Sequence, residues 1–267
     1  MPVFHFKDTL TAQDVALNYA TFGQADRPAL IFSNSLGTNL IMWQQQVAYF
    51  QDKYFVICYD TRGHGASSTP VGPYRIDQLG TDVIALLDHL QIPQATFCGI
   101  SMGGLTGQWL AIHFPERFNQ VIVANTAAKI GEVQAWQARA QLVREQGLTP
   151  VAQTAATRWF TPGFIEDSPE IVEKLSHDLA QGSAEGYASS CEALAEADVR
   201  PQLQRISIPV LVIAGAQDPV TTVADGQFLC EHIVHSTLEV LEASHISNVE
   251  QPQAFNHAVE AVMKRFN

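Results

Sequence analysis

The sequence is short of charge, and of positive charge above all. Charged residues make up 16% of its 267 positions; 15 Lys and Arg stand against 27 Asp and Glu, for a formal net charge of −12. A nucleic-acid binder needs basic patches to neutralise phosphates, and an anionic membrane surface makes the same demand, so neither is an expected partner. An anionic small molecule remains open, because one well-placed arginine outweighs a distant, salt-screened field. Cysteine is scarce as well. The four present, Cys58, Cys98, Cys191 and Cys230, form no C-x-x-C pair, which removes support for zinc and dithiol-redox readings. No apolar run reaches the roughly eighteen residues that a membrane span needs. The first ten residues, MPVFHFKDTL, carry no basic stretch followed by an apolar one. The expectation is a soluble, cytoplasmic chain with reduced thiols.

What the sequence does have is apolar residues, 46% of the chain, in short and almost unbroken runs. ALIFSN (29–34), YFVICYD (54–60), ATFCGI (95–100), QVIVAN (120–125) and VLVIAG (210–215) read as strands buried on both faces. Helical periodicity lies between them. Ile76, Leu79, Val83, Leu86, Leu87 and Leu90 form one stripe; Phe255, Val259, Val262, Met263 and Phe266 form another. Alternation of strand and helix predicts an α/β fold with a mostly parallel, doubly wound sheet. VALNYATFG alternates more strictly and suits an antiparallel strand at the sheet's edge.

Residues 127–199 interrupt the alternation. They show no strand pattern, and VQAWQARAQLVREQG ends at Gly147 as a helix does. Ser168-Pro169-Glu170 looks like a cap with proline at the first helical position. The expected organisation is a core of residues 1–126 and 200–267, with residues 127–199 as a helical cap inserted between two strands. Such a cap would lie over the sheet's C-terminal edge, where open α/β sheets bind ligands.

Gly99-Ile100-Ser101-Met102-Gly103 fits G-x-S-x-G. With Gly and Ser each near 7% of residues, a chain of this length contains such a match by chance about one time in ten. Its context gives it weight: a buried strand precedes it and a helical pattern follows. Serine is a weak nucleophile and needs a base oriented by an acid. Asp218 follows VLVIAG closely and is the candidate acid. His245 sits in the small-residue stretch Ala243-Ser244-His245, between the last strand pattern, STLEVLEA, and the C-terminal helix; it is the candidate base. QVIVAN ends in Asn125-Thr126 and offers no carboxylate. Two backbone N–H groups complete the expectation as donors to a developing oxyanion: Met102, after the nucleophile, and Leu36, in the loop Ser33–Asn39. The charged turn Asp60–Ser67 (DTRGHGAS) lacks the lysine of a phosphate loop and reads as a structural turn tied by Asp60 and Arg62.

With D-x-R-G-x-G-x-S, G-x-S-x-G and a late Asp and His in order, the chain resembles the α/β-hydrolase superfamily along its whole length. Within it the chain is similar to 3-oxoadipate enol-lactonases, on SNSLGTNLIMWQQQ (33–46), GISMGGLTGQWL (99–110), NTAAKIG (125–131), RWFTPGF (158–164), AGAQDPVTT (214–222) and ASHISNVEQP (243–252). The resemblance implies opening of an enol-lactone by an acyl-enzyme route in the β-ketoadipate pathway of aromatic-compound degradation, without metal or cofactor. It also implies a substrate with one carboxylate, and hence a cation in the cap. Trp136 and Arg139, three apart on a predicted helix, share a face and suit that role; Arg144, Lys129 and Arg158 are the rivals. A C–C bond hydrolase, a broad carboxylesterase or haloperoxidase-like enzyme, and a non-catalytic ligand receptor are alternative readings of the same motifs.

Overall fold

The structure, a computed structural model, describes residues 1–264. Eight strands make one sheet: β1 (Val3–Lys7), β2 (Asp14–Phe22), β3 (Ala29–Ser33), β4 (Phe55–Tyr59), β5 (Ala95–Ile100), β6 (Phe118–Ala124), β7 (Val210–Gly215) and β8 (Ser236–Leu241). Their spatial order is β1-β2-β4-β3-β5-β6-β7-β8. From β4 to β8 all neighbours are parallel, whereas β2 runs antiparallel to both β1 and β4. The edge position expected for VALNYATFG is therefore corrected: β1 forms the edge and β2 lies one strand in. The burial patterns give the reason. β1 is half or fully exposed at every residue, while β2, paired on both sides, buries most of its length.

Twelve α-helices accompany the sheet among the described residues. Those outside the long insertion are α1 (Gln44–Phe50), α2 (Ile76–His89), α3 (Met102–His113), α10 (Val223–His232), α11 (Ser247–Glu250) and α12 (Pro252–Met263). Between β6 and β7 come α4 (Val133–Gln146), α5 (Thr149–Gln153), α6 (Ala155–Trp159), α7 (Pro162–Asp167), α8 (Pro169–Ala180) and α9 (Ala184–Glu196). Pro150, Pro162 and Pro169 each sit in the first turn of a helix and break this stretch into short pieces. Gly147, at φ +74°, ends α4 as expected. Ser168 does precede Pro169, but its hydroxyl caps nothing; its carbonyl takes the N–H groups of Ile171 and Val172 instead.

Strand alternation sends the core to both faces of the sheet. Phe97 of β5 meets α3 where Gly107 permits close approach. Phe32 is paired with Cys98, the residue after Phe97, and so points the other way. There it stacks on Trp43, 4.5 Å between centroids, and Trp43 lies 6.1 Å from Phe255 of α12. Phe255, Val259, Val262 and Met263 are all buried, as their spacing predicts; Phe266, assigned to the same stripe, lies outside the described residues. Cys58 and Cys98 are buried in the core.

The parallel strands end together on one edge. The loop after β3, Asp60, Ser101, Asn125, Asp218 and His245 all follow strand ends on that edge. The turn after β4 is tied by Asp60 and Arg62, as the sequence suggests, each through its own partners. Asp60 and Arg62 do not bond each other. Asp60 accepts from Leu40 N, Ala66 N and Asn18 Nδ2, whereas Arg62 is buried between Asp8 and Asp82, at 2.7 and 2.5 Å.

Candidate active site

Ser101 occupies the one-residue corner between β5 and α3, with φ 55° and ψ −113°. Positive φ costs a non-glycine residue strain, and the surroundings must hold it there. They do so from three sides. Ser101 N donates to Ala124 O at 2.9 Å, and Ser101 O accepts from Leu105 N and from Thr126 Oγ1, at 2.9 and 2.8 Å. The flanking glycines are sterically required. A Cβ on Gly99 would strike the Gly103 carbonyl, and a Cβ on Gly103 would strike the Ser33 carbonyl. The Ser101 hydroxyl has no hydrogen-bond partner among the described residues and lines a cavity of about 260 Å³. The N-terminal end of α3, with its positive dipole, begins at the next residue.

His245 lines the same cavity. Its Nδ1 lies 2.8 Å from Asp218 Oδ2. A carboxylate can only accept, so Nδ1 carries a proton, and of the two neutral tautomers this contact selects the one that leaves Nε2 unprotonated. Asp218 is buried and well satisfied. Oδ1 accepts from Val220 N and Thr221 N, and Oδ2 from Thr221 Oγ1 and Asn125 Nδ2 besides the histidine. Burial pushes its carboxyl up; the hydrogen bond and charge of His245, with the N–H groups of Thr221 and Val220, more than offset this and hold it below its ordinary value.

The loop bearing His245 is bracketed on both sides. Ser244 N donates to Glu250 Oε2 at 2.8 Å, and Ile246 N donates to Trp159 O at 3.0 Å. Glu250 also accepts from Thr161 N and the Thr161 hydroxyl, so one buried carboxylate joins this loop to the stretch between β6 and β7. Asn125 donates to Ser244 O and accepts from Ser247 Oγ. Sequence reasoning passed over both Asn125 and Glu250. Both lie in stretches that carry the family resemblance, NTAAKIG and ASHISNVEQP, but the sequence assigns neither a role, because their partners are distant along the chain.

The Ser33–Asn39 loop comes close to the start of α3, where Gly103 N donates to Asn34 O at 3.1 Å. Neither Leu36 N–H nor Met102 N–H has an acceptor among the described residues. Both residues are buried, and Leu36 lines the cavity beside Ser101.

The stretch between β6 and β7 supplies the opposite wall. Trp136 is held by a bond from Nε1 to Ile130 O at 2.5 Å, and the Arg139 guanidinium lies 5.0 Å from its ring centroid. Trp136, Arg139, Arg158, Trp159 and Tyr187 all face the cavity. Arg158 is steadied by Thr154 Oγ1 at 2.5 Å and Val151 O at 3.1 Å. Burial, and then the charge of Arg139, push its pKa down. Burial holds the Tyr187 phenol up at about 12, against the pull of both arginines. Neither arginine pairs with a carboxylate among the described residues. The other two cations are elsewhere. Arg144 is taken by Glu185 and Glu192, and Lys129 lines a separate cavity with Arg200. The arrangement joins a strained serine, an oriented imidazole and two unneutralised guanidiniums in one space. Among the described residues no cluster of His, Cys, Asp and Glu fit to hold a metal ion occurs, and no helix is long and apolar enough to cross a membrane.

A family model described as alpha/beta hydrolase fold matches residues 28–252. The chain is 98% identical over 267 residues to 3-oxoadipate enol-lactonase 2 of Acinetobacter baylyi, covering 100% of both chains. It is 48% identical to 3-oxoadipate enol-lactonase 1 of the same organism, over 91% of each. Among solved structures, the enol-lactonase from Burkholderia xenovorans LB400 superposes with a TM-score of 0.92 at 42% identity, over 94% of this chain and 97% of that one.

Proposed function

The chain belongs to the α/β-hydrolase family, and we propose that its reaction is the opening of 3-oxoadipate enol-lactone to 3-oxoadipate. The observation that carries this is the 98% identity, end to end, with a 3-oxoadipate enol-lactonase. The protein is thus a carboxylic ester hydrolase whose substrate is a small anionic lactone of the β-ketoadipate pathway.

The roles follow from the chemistry each group can perform. Ser101 Oγ attacks the lactone carbonyl while His245 Nε2 takes its proton. Asp218 holds the imidazole in the tautomer this needs and stabilises the imidazolium that forms. The N–H groups of Leu36 and Met102 stabilise the oxyanion. Collapse breaks the ring C–O bond and expels an enolate, which takes on carbon the proton that His245 received from Ser101, directly or through water, to become the ketone and return the imidazole to its neutral form. The leaving group stays tethered to the acyl-enzyme. Water, deprotonated by His245, then attacks the ester; Ser101 recovers its proton and the dicarboxylate leaves. This cycle needs no metal and no cofactor.

Arg139, backed by Trp136, and Arg158 bind the substrate's own carboxylate. Their lack of carboxylate partners supports this, since two like charges facing one cavity are relieved by an anion. Residues 127–199 act as a cap on a core of residues 1–126 and 200–267. The division of the cavity supports that reading: its anion-binding side comes from the inserted helices and its nucleophilic side from the strand ends. Cytoplasmic residence suits the four free thiols. Neither nucleic acid nor a membrane is a partner in this reading, in keeping with the acidic surface.

The test is a comparison of kcat/KM for the enol-lactone, a ring-cleavage diketone and a neutral aryl ester. A preference for the lactone over the neutral ester of about ten- to a hundredfold is expected, since a matched carboxylate–arginine contact is worth roughly 1.5–3 kcal/mol. Faster turnover of either competitor would overturn the assignment.

A further inference from the structure

His64 belongs to the turn after β4, outside the catalytic set. Its ring is buried, with only 6% of the residue exposed. Nε2 lies 3.0 Å from the backbone N of Gly37, and Nδ1 lies 3.2 Å from Arg62 O. An amide N–H can only donate and a carbonyl can only accept, so the two contacts select one neutral tautomer, with the proton on Nδ1. Burial pushes the imidazole pKa down, against the Arg62 carbonyl and the Asp60 charge, which keeps that neutral form in place.

Gly37 follows Leu36 directly, at φ +80°. Because glycine visits both signs of φ freely, the peptide plane between Leu36 and Gly37 has little intrinsic preference for one orientation. The bond to His64 supplies that preference. The preceding plane is held separately. Ser35 O accepts from Thr38 N at 3.2 Å and from Thr38 Oγ1 at 2.8 Å. In a trans peptide the Leu36 N–H points away from that same Ser35 carbonyl. Two successive peptide planes around Leu36 are therefore fixed by two side chains, neither of which lines the cavity at Ser101. Any Cβ at Gly37 would also come within 2.7 Å of Leu179 and 3.1 Å of Tyr187, so the inserted helices press on this turn from above.

We propose that His64, together with Thr38, is a positioning residue for the oxyanion donor: it holds the Gly37 amide and thereby aims the Leu36 N–H at the developing charge. The proposal rests on the assignment of Leu36 as that donor. Acting only as charge develops, such a device bears on kcat and leaves ground-state binding nearly alone. An unheld Gly37 N–H would be a part-buried donor that has lost its partner, and its plane would be free to turn toward another.

The experiment compares His64→Gln with His64→Asn. Gln carries its Oε1 to about the position of Nε2 and can accept from Gly37; Asn reaches only as far as Nδ1. Thermal melts of both variants report folding. For His64→Asn the expected result is a fall in kcat of about ten- to a hundredfold with KM within about threefold, the lower range for a displaced oxyanion donor. His64→Gln should recover most of that loss. The rate of Ser101 phosphonylation by a fluorophosphonate, whose oxygen occupies the same hole, should follow kcat across the pair. Equal kcat in Gln and Asn variants of similar melting temperature would overturn the proposal. If wild-type protein reacted with the fluorophosphonate but not with the enol-lactone, the substrate assignment would fail, and the phosphonylation rates of the pair would still decide the role of His64.

Discussion

Asn125 Nδ2 donates to Asp218 Oδ2 at 3.1 Å, the same oxygen that accepts from His245 Nδ1 at 2.8 Å. Asn125 holds this position at φ +45°, a conformation that asparagine tolerates better than most residues. It also ties Ser244 O and Ser247 Oγ, on either side of His245. One side chain at the end of β6 therefore fixes both Asp218 and the backbone that carries His245, the acid and base of the proposed mechanism. Asn125→Ala should lower kcat about tenfold, the equivalent of the 1–2 kcal/mol lost when a buried bond of this kind is removed, with little change in KM. Steady-state kinetics on the enol-lactone checks both parameters. A higher KM at unchanged kcat would contradict this.

Ser101 combines a positive φ with the proposed role of nucleophile, so its replacements should separate stability from activity. Ser101→Gly removes the cost of positive φ and is expected to stabilise the fold by about 1 kcal/mol, while kcat falls by about four orders of magnitude or more. Differential scanning calorimetry and single-turnover assays give the two numbers. A lower melting temperature for the glycine variant would show that the corner is not strained.

The two arginines predict a charge-dependent phenotype. Arg139→Ala and Arg158→Ala should each raise KM for the anionic lactone about ten- to a hundredfold, as expected for a charged hydrogen bond worth roughly 1.5–3 kcal/mol. Hydrolysis of a neutral aryl ester should change by less than about threefold in Arg139→Ala. Equal losses on both substrates would assign Arg139 a structural role. Arg158 also braces Thr154 and Val151, so its variant needs a thermal melt beside the kinetics.

Acid stability should report on Asp8. Burial raises its carboxyl, but Arg62, Leu10 N–H and Gln78 outweigh burial and hold it at about 2. A carboxyl depressed in the folded state stabilises fully above its unfolded value near 4 and loses that contribution as pH falls toward 2. Its share is about 2 kcal/mol. Asp8→Asn should be less stable at pH 7 and should show a flatter decline between pH about 4 and 2, measured by urea midpoints. A decline as steep as that of the wild type would place the acid sensitivity elsewhere.

Much of the fold is legible in the sequence because its determinants are local. Apolar runs such as ATFCGI and VLVIAG have no polar face, so they must be buried on both sides, and that alone selects a covered parallel sheet. The corner at Ser101 is legible for the same reason: glycines at 99 and 103 mark where two backbones touch. The order of strands is less so. VALNYATFG alternates like an edge strand, yet β1 covers its outer edge, and nothing in five residues that are all half or fully exposed announces that pairing.

The sequence by itself determined which residue types exist at each strand end: a serine between glycines after β5, Asp218 after β7, and His245 after β8. Those follow from chain order and local pattern. Only the tertiary structure decided how they are held. Asn125 meets Asp218 across 93 positions, Gly37 meets His64 across 27, and Glu250 meets Thr161 across 89. The same holds for the choice among cations. Spacing from Trp136 favours Arg139 but does not remove Arg144; in the fold Glu185 and Glu192 neutralise Arg144, while Arg139 faces the cavity. Such pairings depend on where distant segments come to rest, and a one-dimensional pattern carries no signal for a hydrogen bond between side chains that the fold alone brings within 3 Å.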